Sequence, residues 1–197
     1  MNFWDERYKE KEYVYGVHPN EFFENELNKL PNGILVLPCE GEGRNAVFAA
    51  KKGWKVYAYD SSIEGKNKAL QLAEKENTSI QYDIIDALHA SYESNSIDCI
   101  AFIYAHFPSS IRSSIHQMAI NWLKPGGTFI LEAFRPEQLS KKSGGPKDLD
   151  LLYDEAKMID DFNELIDLTI LSKTLELKAG KFHNGEAEII RVIGKKK

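Results

Sequence analysis

Two acidic side chains flank a glycine-rich turn in the first third of the chain, at a spacing that suits cofactor binding. The turn is Glu40-Gly41-Glu42-Gly43-Arg44-Asn45-Ala46, and Asp60 follows it at the end of an apolar stretch. An apolar run at residues 33–37 predicts a strand before the turn, residues 47–52 look helical, and residues 55–59 predict a second strand. A strand, a glycine turn, a helix and a second strand that ends in an acid indicate a site for a nucleoside-containing cofactor.

The type of cofactor depends on the charge beside the first glycine. The residues from Gly41 to Ala46 satisfy the dinucleotide pattern G-x-G-x-x-G/A, with Asp60 near the expected ribose position. Glu40 argues against a dinucleotide, because a carboxylate there would repel a pyrophosphate at a cost of roughly a few kcal/mol. S-adenosylmethionine (SAM) has no phosphate and carries positive ammonium and sulfonium groups. The turn therefore favours SAM over NAD or NADP.

Short motifs over nearly the whole chain strengthen this interpretation. They are Phe3-Trp4-Asp5-Glu6-Arg7-Tyr8, Tyr15-Gly16, the Glu40 to Ala46 turn, Tyr59-Asp60-Ser61-Ser62, Ile85-Asp86-Ala87, the Tyr104 to Pro108 segment and Leu123-Lys124-Pro125-Gly126-Gly127. With these motifs the chain resembles class I SAM-dependent methyltransferases of the small-molecule group that includes tellurite-resistance and thiopurine methyltransferase-like proteins. In that family an Asp and a further Gly usually precede the turn. Leu37 and Cys39 stand there in this chain, so Glu40 supplies the carboxylate.

The predicted cofactor contacts lie at strand ends, where ligands of such sheets bind. Asp60 is predicted to accept hydrogen bonds from both ribose hydroxyls, with a helix-capping carboxylate as the alternative role. By resemblance, Asp86 takes the adenine amino group and Ala87 offers a backbone N–H. Asp83 competes with Asp86 but falls inside the predicted strand. The resemblance adds further expected contacts from Glu42, Ser61, Ser62 and Tyr104.

The turn itself contributes backbone shape. Gly41 and Gly43 allow the chain to turn sharply and to approach the ligand closely. Asn45 either caps the following helix or contacts the ligand. Cys39 is interpreted as a small packed side chain rather than a nucleophile, because no histidine partner is identifiable for it.

The reacting end of the site is expected at Tyr104-Ala105-His106-Phe107-Pro108, which ends the fourth predicted strand. His106 is a candidate general base or substrate-orienting residue, and the alternative is a histidine that packs against the cofactor. Arg112 is expected on a helix surface rather than at an anionic substrate. Glu132 either lines the pocket or forms a buried salt bridge. Sulfonium methyl transfer needs mainly alignment and water exclusion, so a soft nucleophile requires no base.

Aromatic residues crowd the N-terminus. Trp4, Tyr8, Tyr13 and Tyr15 lie within the first 15 residues. Aromatic faces attract cations such as a sulfonium. We expect Trp4, Tyr8 and Tyr15 to form a lid over the cofactor, and the alternative is a hydrophobic staple of two helices onto the sheet.

The order of predicted elements is that of an α/β protein. Strands are predicted at residues 34–38, 55–60, 79–84, 97–103 and 128–134, and helices at 44–52, 63–76 and 111–123, which indicates a parallel sheet covered on both faces. Strands at 167–177 and 186–193, joined through Phe182-His183-Asn184-Gly185, predict a closing antiparallel hairpin, because Asn-Gly favours a hairpin turn. The expected fold is therefore Rossmann-like, with a seven-stranded, mostly parallel sheet of the class I methyltransferase type.

This order predicts one domain in four segments. Residues 1–32 form a helical lid with helices at 2–11 and 21–30, and residues 33–134 form the cofactor-binding core. Residues 135–165 form a mobile loop around Ser143-Gly144-Gly145-Pro146 and a short helix at 154–163, and residues 166–197 form the hairpin.

Composition excludes several classes of protein. The net charge of −5 gives no basic footprint for nucleic acid, and Lys195-Lys196-Lys197 is interpreted as a frayed tail. The longest apolar runs are too short to cross a membrane, and the chain starts without a signal sequence. Two cysteines without metal-ligand spacing indicate a reducing cytoplasm and no metal site. A monomer or a homodimer is expected.

The sequence thus predicts a SAM-dependent enzyme that methylates a small-molecule acceptor, possibly a thiol or a chalcogen oxyanion, with S-adenosylhomocysteine as the product. One alternative is a non-catalytic SAM-binding regulatory protein. A less favoured alternative is an NAD(P)-binding oxidoreductase domain. The sequence does not name the acceptor.

Overall fold

The computed structural model describes residues 3–197, which form a single α/β layered structure. The sheet contains β1 (Ile34–Pro38), β2 (Lys55–Asp60), β3 (Gln81–Ile84), β4 (Ile97–Ile103), β5 (Leu123–Phe134), β6 (Ile166–Ala179) and β7 (His183–Lys195). The helices are α1 (Phe3–Tyr8), α2 (Glu21–Leu27), α3 (Arg44–Lys51), α4 (Ile63–Lys75), α5 (Ser109–Trp122) and α6 (Glu155–Phe162). Two 3₁₀ turns, Pro136–Ser140 and Leu149–Leu151, precede α6. The predicted start of the first helix at Asn2 lies outside the described residues.

The seven strands are ordered β3-β2-β1-β4-β5-β7-β6, and the order reverses between β1 and β4. β1 to β5 pair in parallel, whereas β7 runs antiparallel to both β5 and β6. This arrangement confirms the predicted class I methyltransferase fold with its C-terminal hairpin. The switch between β1 and β4 opens a crevice at the carboxyl ends of the strands, which is where such sheets bind ligands.

Helices cover both faces of the sheet. One core packs α2, α3 and α4 against β1 and β2, with fully buried Phe23 and Leu37. The other packs α5 and α6 against β4 and β5, with fully buried Phe102 and Phe162. The central strand β4 is almost continuously apolar because both of its faces are buried.

Side-chain caps fix where several helices begin. Asn20 accepts a hydrogen bond from the Phe23 amide at α2, and Ser62 accepts one from the Gly65 amide at α4. These bonds satisfy amide groups that have no partner inside the helix. Among residues 3–197, no helix is long and apolar enough to cross a membrane.

The position of the hairpin turn differs from the prediction. Asn184-Gly185 lies within β7, where Asn184 pairs with Lys178 and Gly185 with Leu177. The chain instead reverses through Gly180, Lys181 and Phe182. Gly180 has a left-handed φ of 70°, and a Cβ there would lie 2.5 Å from the Val14 carbonyl oxygen. The turn therefore packs under the N-terminal segment, which the local Asn-Gly signal could not reveal.

The lysine-rich C-terminus is also more ordered than predicted. Lys195 ends β7, and the backbone of Lys196 exchanges hydrogen bonds with Gly126 and Gly127. The Lys196 ammonium group bonds to the Asn95 side chain and the Asn121 carbonyl group. This segment extends the sheet rather than forming a frayed tail.

Candidate active site

A cavity of about 850 Å³ opens at the carboxyl ends of β1, β2 and β4, beside the switch in strand order. Its walls come from the glycine turn after β1, the loops after β2, β3 and β4, the N-terminal segment and the start of β7. Twelve of the fifteen predicted site residues line it. The predicted residues that do so are Trp4, Tyr8, Tyr15, Glu40, Glu42, Asn45, Asp60, Ser61, Asp86, Ala87, Tyr104 and His106.

 The other three predicted site residues, Gly41, Gly43 and Ser62, do not line the cavity.

Glu40 closes the N-terminus of α3. Its Oε1 accepts hydrogen bonds from the backbone amides of Asn45 at 2.7 Å and Ala46 at 2.8 Å. Its Oε2 accepts one from the Asn45 side chain at 3.1 Å. Burial raises the pKa of Glu40 to about 7, although these bonds and nearby Arg44 act in the opposite direction. The amides that would bind a phosphate in a dinucleotide site are therefore already occupied by a carboxylate.

Asp60 ends β2 at the cavity wall and is 5% exposed. Its Oδ2 accepts a hydrogen bond from the Gly41 amide at 3.0 Å, and its Oδ1 accepts one from the Ser62 amide at 2.9 Å. Burial raises the pKa of Asp60, although these hydrogen bonds act to lower it. A carboxylate has about four acceptor sites, so both oxygens retain capacity for a ligand hydroxyl.

The loop after β3 supplies Asp86 and Ala87, and Asp83 does not line the cavity. Asp86 is exposed, and its Oδ1 accepts a hydrogen bond from the Leu88 amide at 2.9 Å. Ala87 is buried beside it. Of the two competing aspartates, the structure places Asp86 at the cavity.

The space beside Gly41 and Gly43 is filled by protein side chains. A Cβ on Gly41 would lie 2.5 Å from the Tyr8 hydroxyl oxygen, and a Cβ on Gly43 would lie 2.5 Å from the Ala69 Cβ on α4. Gly43 also has a left-handed φ of 84°. A side chain at Gly43 would therefore collide with α4. Ser62 is likewise a fully buried helix cap.

The N-terminal segment covers the cavity and is attached at several points. Trp4 stacks on Tyr8 with ring centroids 5.6 Å apart, and Tyr15 meets Tyr8 edge-on at 6.4 Å. The Ser62 hydroxyl donates to Asp5 at 2.7 Å. Tyr13 does not line the cavity, since its hydroxyl donates to the Lys68 carbonyl oxygen on α4.

Lys68 connects this segment to the glycine turn. Its ammonium group donates to the Glu10 carbonyl oxygen at 2.9 Å and bonds to the Glu12 carbonyl oxygen. It also forms an ion pair with Glu42, and both side chains are buried. Glu42 accepts a hydrogen bond from the Tyr15 amide at 3.4 Å. Glu42 is thus a structural link to the lid as well as part of the cavity wall.

His106 is held by the backbone on both sides of its ring. Its Nδ1 lies 2.6 Å from the Leu151 carbonyl oxygen, and its Nε2 accepts from the Phe134 amide at 3.4 Å. The ring stacks on Phe134 at 5.7 Å. Burial lowers the pKa of His106 to about 4. These contacts describe a neutral, oriented ring whose nitrogens are both engaged, which favours the packing alternative over the general base.

Tyr104 occupies the end of β4 in a strained conformation. Its φ is 57°, which is rare for a bulky residue. Its ring stacks on Phe134 at 4.7 Å and meets His183 edge-on at 4.5 Å. Burial and the nearby Glu132 carboxylate raise the pKa of Tyr104. These ring contacts hold Tyr104 at the cavity wall in its strained backbone conformation.

Residues outside the predicted set also line the cavity, and among them are Arg7, Arg44 and His183. Arg44 stands directly after the second glycine of the turn, a position that could have identified it. His183 enters through the antiparallel pairing of β7 with β5 and β6, which sequence spacing does not specify. Arg7 shares a helix with Trp4 and Tyr8, so its place at the cavity could have been predicted together with theirs.

Other candidates have structural contacts. Arg112 is buried and pairs with Asp161 at 2.7 Å, so neither the surface nor the substrate interpretation holds. Glu132 pairs with Arg191 at 2.6 Å as a buried salt bridge. Cys39 lines the cavity, and burial raises the pKa of its thiol. Among the residues described, no group of three or more His, Cys, Asp or Glu side chains could hold a metal ion.

Comparison with known proteins gives a match to one family model over part of the chain and a shared fold. Residues 34–127 match a family model described as a methyltransferase domain. A search of curated proteins found no match. TehB from Haemophilus influenzae has a similar fold, with a TM-score of 0.71, 17% identity, and coverage of 91% of this chain and 63% of that chain.

Two further solved structures share the fold. Magnesium protoporphyrin IX methyltransferase (ChlM) from Synechocystis PCC 6803, solved with bound SAH, has a TM-score of 0.66, 16% identity, and coverage of 90% of this chain and 82% of that chain. A structure from work on the conversion of a disulfide bond into a thioacetal group during echinomycin biosynthesis has a TM-score of 0.79, 14% identity, and coverage of 98% and 90%. These structural comparisons show that the chain has the fold of class I SAM-dependent methyltransferases.

Proposed function

We propose that this protein is an enzyme that transfers a methyl group from SAM to a small-molecule acceptor. The observation that carries the proposal is a single cavity that joins two parts. One part presents the buried carboxylate of Asp60 and the exposed carboxylate of Asp86 at adjacent strand ends. The other part is walled by Tyr104 and the lid aromatics. The first part suits a nucleoside, and the second suits a reacting group kept away from water.

The donors and acceptors in the cavity fit SAM. Asp60 retains acceptor capacity for ribose hydroxyls, which would also offset the burial of its charge. Asp86 and the Ala87 backbone are available to an adenine ring. Glu40 occupies the α3 amides, which argues against the pyrophosphate of NAD or NADP. When bound, SAM supplies a methyl group on a cationic sulfur that a nucleophile can displace.

The lid residues serve alignment and water exclusion. The stacked Trp4 and Tyr8 rings, with Tyr15 edge-on, present aromatic surface at the cavity. Such surface attracts a cation and excludes water, and both effects assist an in-line displacement.

We further propose that the acceptor is a soft nucleophile, such as a thiolate or another chalcogen anion. The support is the lack of a poised base at the reacting end in the described residues, since both nitrogens of His106 bond to the backbone. Burial and nearby Arg44 also lower the pKa of His183, to about 3, which makes it a weak base. A thiolate needs no proton removed at the moment of transfer. The sulfur chemistry named for one similar fold is a fold-level analogy in the same direction.

Two measurements test these proposals. Titration calorimetry with SAM, S-adenosylhomocysteine, NAD and NADP should show binding of the first two only. S-adenosylhomocysteine release should then be measured across thiols, chalcogen oxyanions, alcohols and amines. Turnover confined to alcohols or amines would contradict the soft acceptor, and binding without turnover on any acceptor would support the regulatory alternative.

We also propose a cytoplasmic location, supported by two free cysteines.

A further inference from the structure

The loop that follows β4 forms part of the cavity wall and is held from behind by a buried tyrosine. Residues Ala105, His106 and Phe107, called here the β4 loop, all line the cavity. Tyr153 lies just before α6, is fully buried and does not line the cavity. Its position behind the wall lets it act on the shape of the cavity without contacting a ligand.

The Tyr153 hydroxyl bonds to the backbone on both sides of His106. Its oxygen accepts a hydrogen bond from the Phe107 amide at 2.6 Å, and it donates to the Ala105 carbonyl oxygen at 3.4 Å. Burial raises the pKa of Tyr153, so the hydroxyl keeps the proton that it donates. One hydroxyl thus satisfies two buried backbone groups of the β4 loop, which would be costly to leave without partners.

Further bonds join the segment around Tyr153 to the same wall. The Tyr153 amide donates to the Phe134 carbonyl oxygen at 3.0 Å, at the end of β5. The Leu151 carbonyl oxygen lies 2.6 Å from Nδ1 of His106, and the Tyr153 and His106 rings have centroids 5.2 Å apart. The segment from Leu151 to Tyr153 therefore contacts the β4 loop through both backbone and side chain.

An ion pair between α5 and α6 supports the Tyr153 ring on its other side. The Arg112 guanidinium lies 5.7 Å from the ring centroid, and the His116 ring meets it edge-on at 5.9 Å. Asp161 on α6 holds both residues, since its Oδ2 is 2.7 Å from Arg112 Nε and 2.7 Å from His116 Nδ1. All of these side chains are buried, so the ring cannot move away from the β4 loop without disturbing a buried ion pair.

Building on the proposed function, we propose that Tyr153 is a positioning residue for methyl transfer. Its hydroxyl fixes the backbone of the β4 loop, and the loop keeps the reacting end of the cavity in the shape that aligns the acceptor with the methyl group. A misplacement of about 1 Å can lower the rate of an aligned reaction by about a hundredfold. A hydrogen bond outside the cavity can therefore control turnover while leaving cofactor binding intact.

The first arm of the test measures the β4 loop without any ligand. Tyr153→Phe keeps the packed ring and removes only the hydroxyl. Amide hydrogen exchange followed by NMR should show exchange at Phe107 that is about tenfold faster or more, because this amide loses its partner. Exchange in α6 should stay unchanged. Tyr92→Phe is the matched control, because Tyr92 packs through its ring against Tyr57 and Trp122 and does not line the cavity.

The second arm measures turnover and cofactor affinity separately. The acceptor probe is 4-nitrobenzenethiol, which is ionised at neutral pH and needs no base. Tyr153→Phe should lower kcat about 10- to 100-fold and leave the affinity for S-adenosylhomocysteine within about twofold by calorimetry. The loss of kcat should exceed that of His106→Ala, which leaves both bonds of the Tyr153 hydroxyl in place. Tyr92→Phe should change neither quantity.

Circular dichroism confirms that each variant is folded, and assays are run well below the lowest unfolding temperature. Faster exchange with an unchanged kcat would make Tyr153 merely structural and overturn the proposal. Equal losses of kcat and cofactor affinity would also overturn it. If Tyr153→Phe does not fold, Asp161→Asn replaces it, with a smaller loss of kcat at constant affinity expected and an unchanged kcat as the contrary result.

The proposed function can fail separately from the role of Tyr153. If the wild-type protein does not bind S-adenosylhomocysteine, the proposed function fails. The exchange of the Phe107 amide, compared between wild type and Tyr153→Phe, then decides on its own whether Tyr153 holds the β4 loop.

Discussion

Asp60 forms hydrogen bonds within the protein and is also a predicted ligand contact. Its oxygens hold the Gly41 and Ser62 amides and also face the cavity. We expect Asp60→Ala to weaken S-adenosylhomocysteine by about 1.5–3 kcal/mol, the usual worth of charge-assisted hydrogen bonds. Calorimetry measures this loss. Asp83→Ala on the neighbouring strand is the control, and an unchanged affinity for Asp60→Ala would refute the ribose assignment.

His106 gives the residue-scale test of the acceptor. With a thiol acceptor, we expect His106→Ala to lower kcat by less than about tenfold, because no proton has to be removed. The affinity for S-adenosylhomocysteine should change little. A fall of about a hundredfold or more with an alcohol or amine acceptor would instead establish a base. An equal loss of rate and cofactor affinity would make His106 a cofactor contact.

For the turn after β1, the sequence predicts which residues line the cavity but not their hydrogen-bond partners. The order of strand, glycine turn, helix and acid located Glu40 and Asp60 at the cavity from local sequence alone. The detailed partners of Glu40 were not predictable, because they depend on how α3 begins. The same holds for Gly43, whose neighbour Ala69 lies on α4, 26 residues further along the chain.

At the scale of elements, the parallel strands were predicted well because each is a short apolar run between turn signals. The hairpin turn was misplaced because Gly180 is selected by its contact with the N-terminal segment, far away in sequence. Arg112 was misjudged for a similar reason, since its partner Asp161 lies on α6. Errors therefore fall where a distant element decides a local outcome.

The lid is the element whose role is most open to direct test. Deleting residues 1–16 should leave the sheet folded, because β1 begins at Ile34 and its pairing partners lie in the core. The truncated protein should lose most activity and bind SAM more weakly, since Trp4, Tyr8 and Tyr15 line the cavity. Circular dichroism and calorimetry measure the two effects. Global unfolding of the truncated protein would support the staple alternative.

A single substitution probes the same element without deleting it. Lys68→Met removes the bonds to the Glu10 and Glu12 carbonyl oxygens and the ion pair with Glu42. We expect faster proteolysis of the N-terminal segment and weaker SAM binding. Lys66→Met on the same helix is the control, because within residues 3–197 the Lys66 side chain forms none of these bonds. Equal proteolysis of the two variants would show that Lys68 does not hold the lid.

At the scale of the whole molecule, the parallel strands and the antiparallel hairpin contribute different residues to the cavity. The parallel half from β3 to β4 carries Asp60 and Asp86, and the antiparallel hairpin supplies His183. The N-terminal segment lies over both and connects to the hairpin through Arg7 and Phe182. On the proposed function, the cofactor would lie against the parallel part of the sheet, and the hairpin and the N-terminal segment would complete the acceptor end. The oligomeric state stays a prediction of monomer or homodimer.

Two buried groups should give the folded protein opposing responses to pH. Burial lowers the pKa of His106 to about 4, below the unfolded value of about 6.5. The unfolded chain then binds more protons between these pH values, so the stability that His106 contributes is present above pH 6.5 and is lost as the pH falls toward 4. Burial raises the pKa of Glu40 from 4.5 to about 7. Its contribution is present below pH 4.5 and is lost as the pH rises through 7.

Urea unfolding from pH 4 to 8 can separate these two contributions. Relative to the wild type, His106→Gln should become less destabilised as the pH falls from 6.5 toward 4. Glu40→Gln should become less destabilised as the pH rises from 4.5 toward 7, because the wild type then carries a buried charge. The free energy of unfolding of each variant, subtracted from that of the wild type, should therefore change with opposite slopes. Parallel slopes would mean that at least one group titrates in the folded protein as it does in the unfolded chain. A flat His106 difference would mean that the pKa of the ring is the same in the folded and unfolded protein, and it would contradict the acceptor role of Nε2 toward the Phe134 amide.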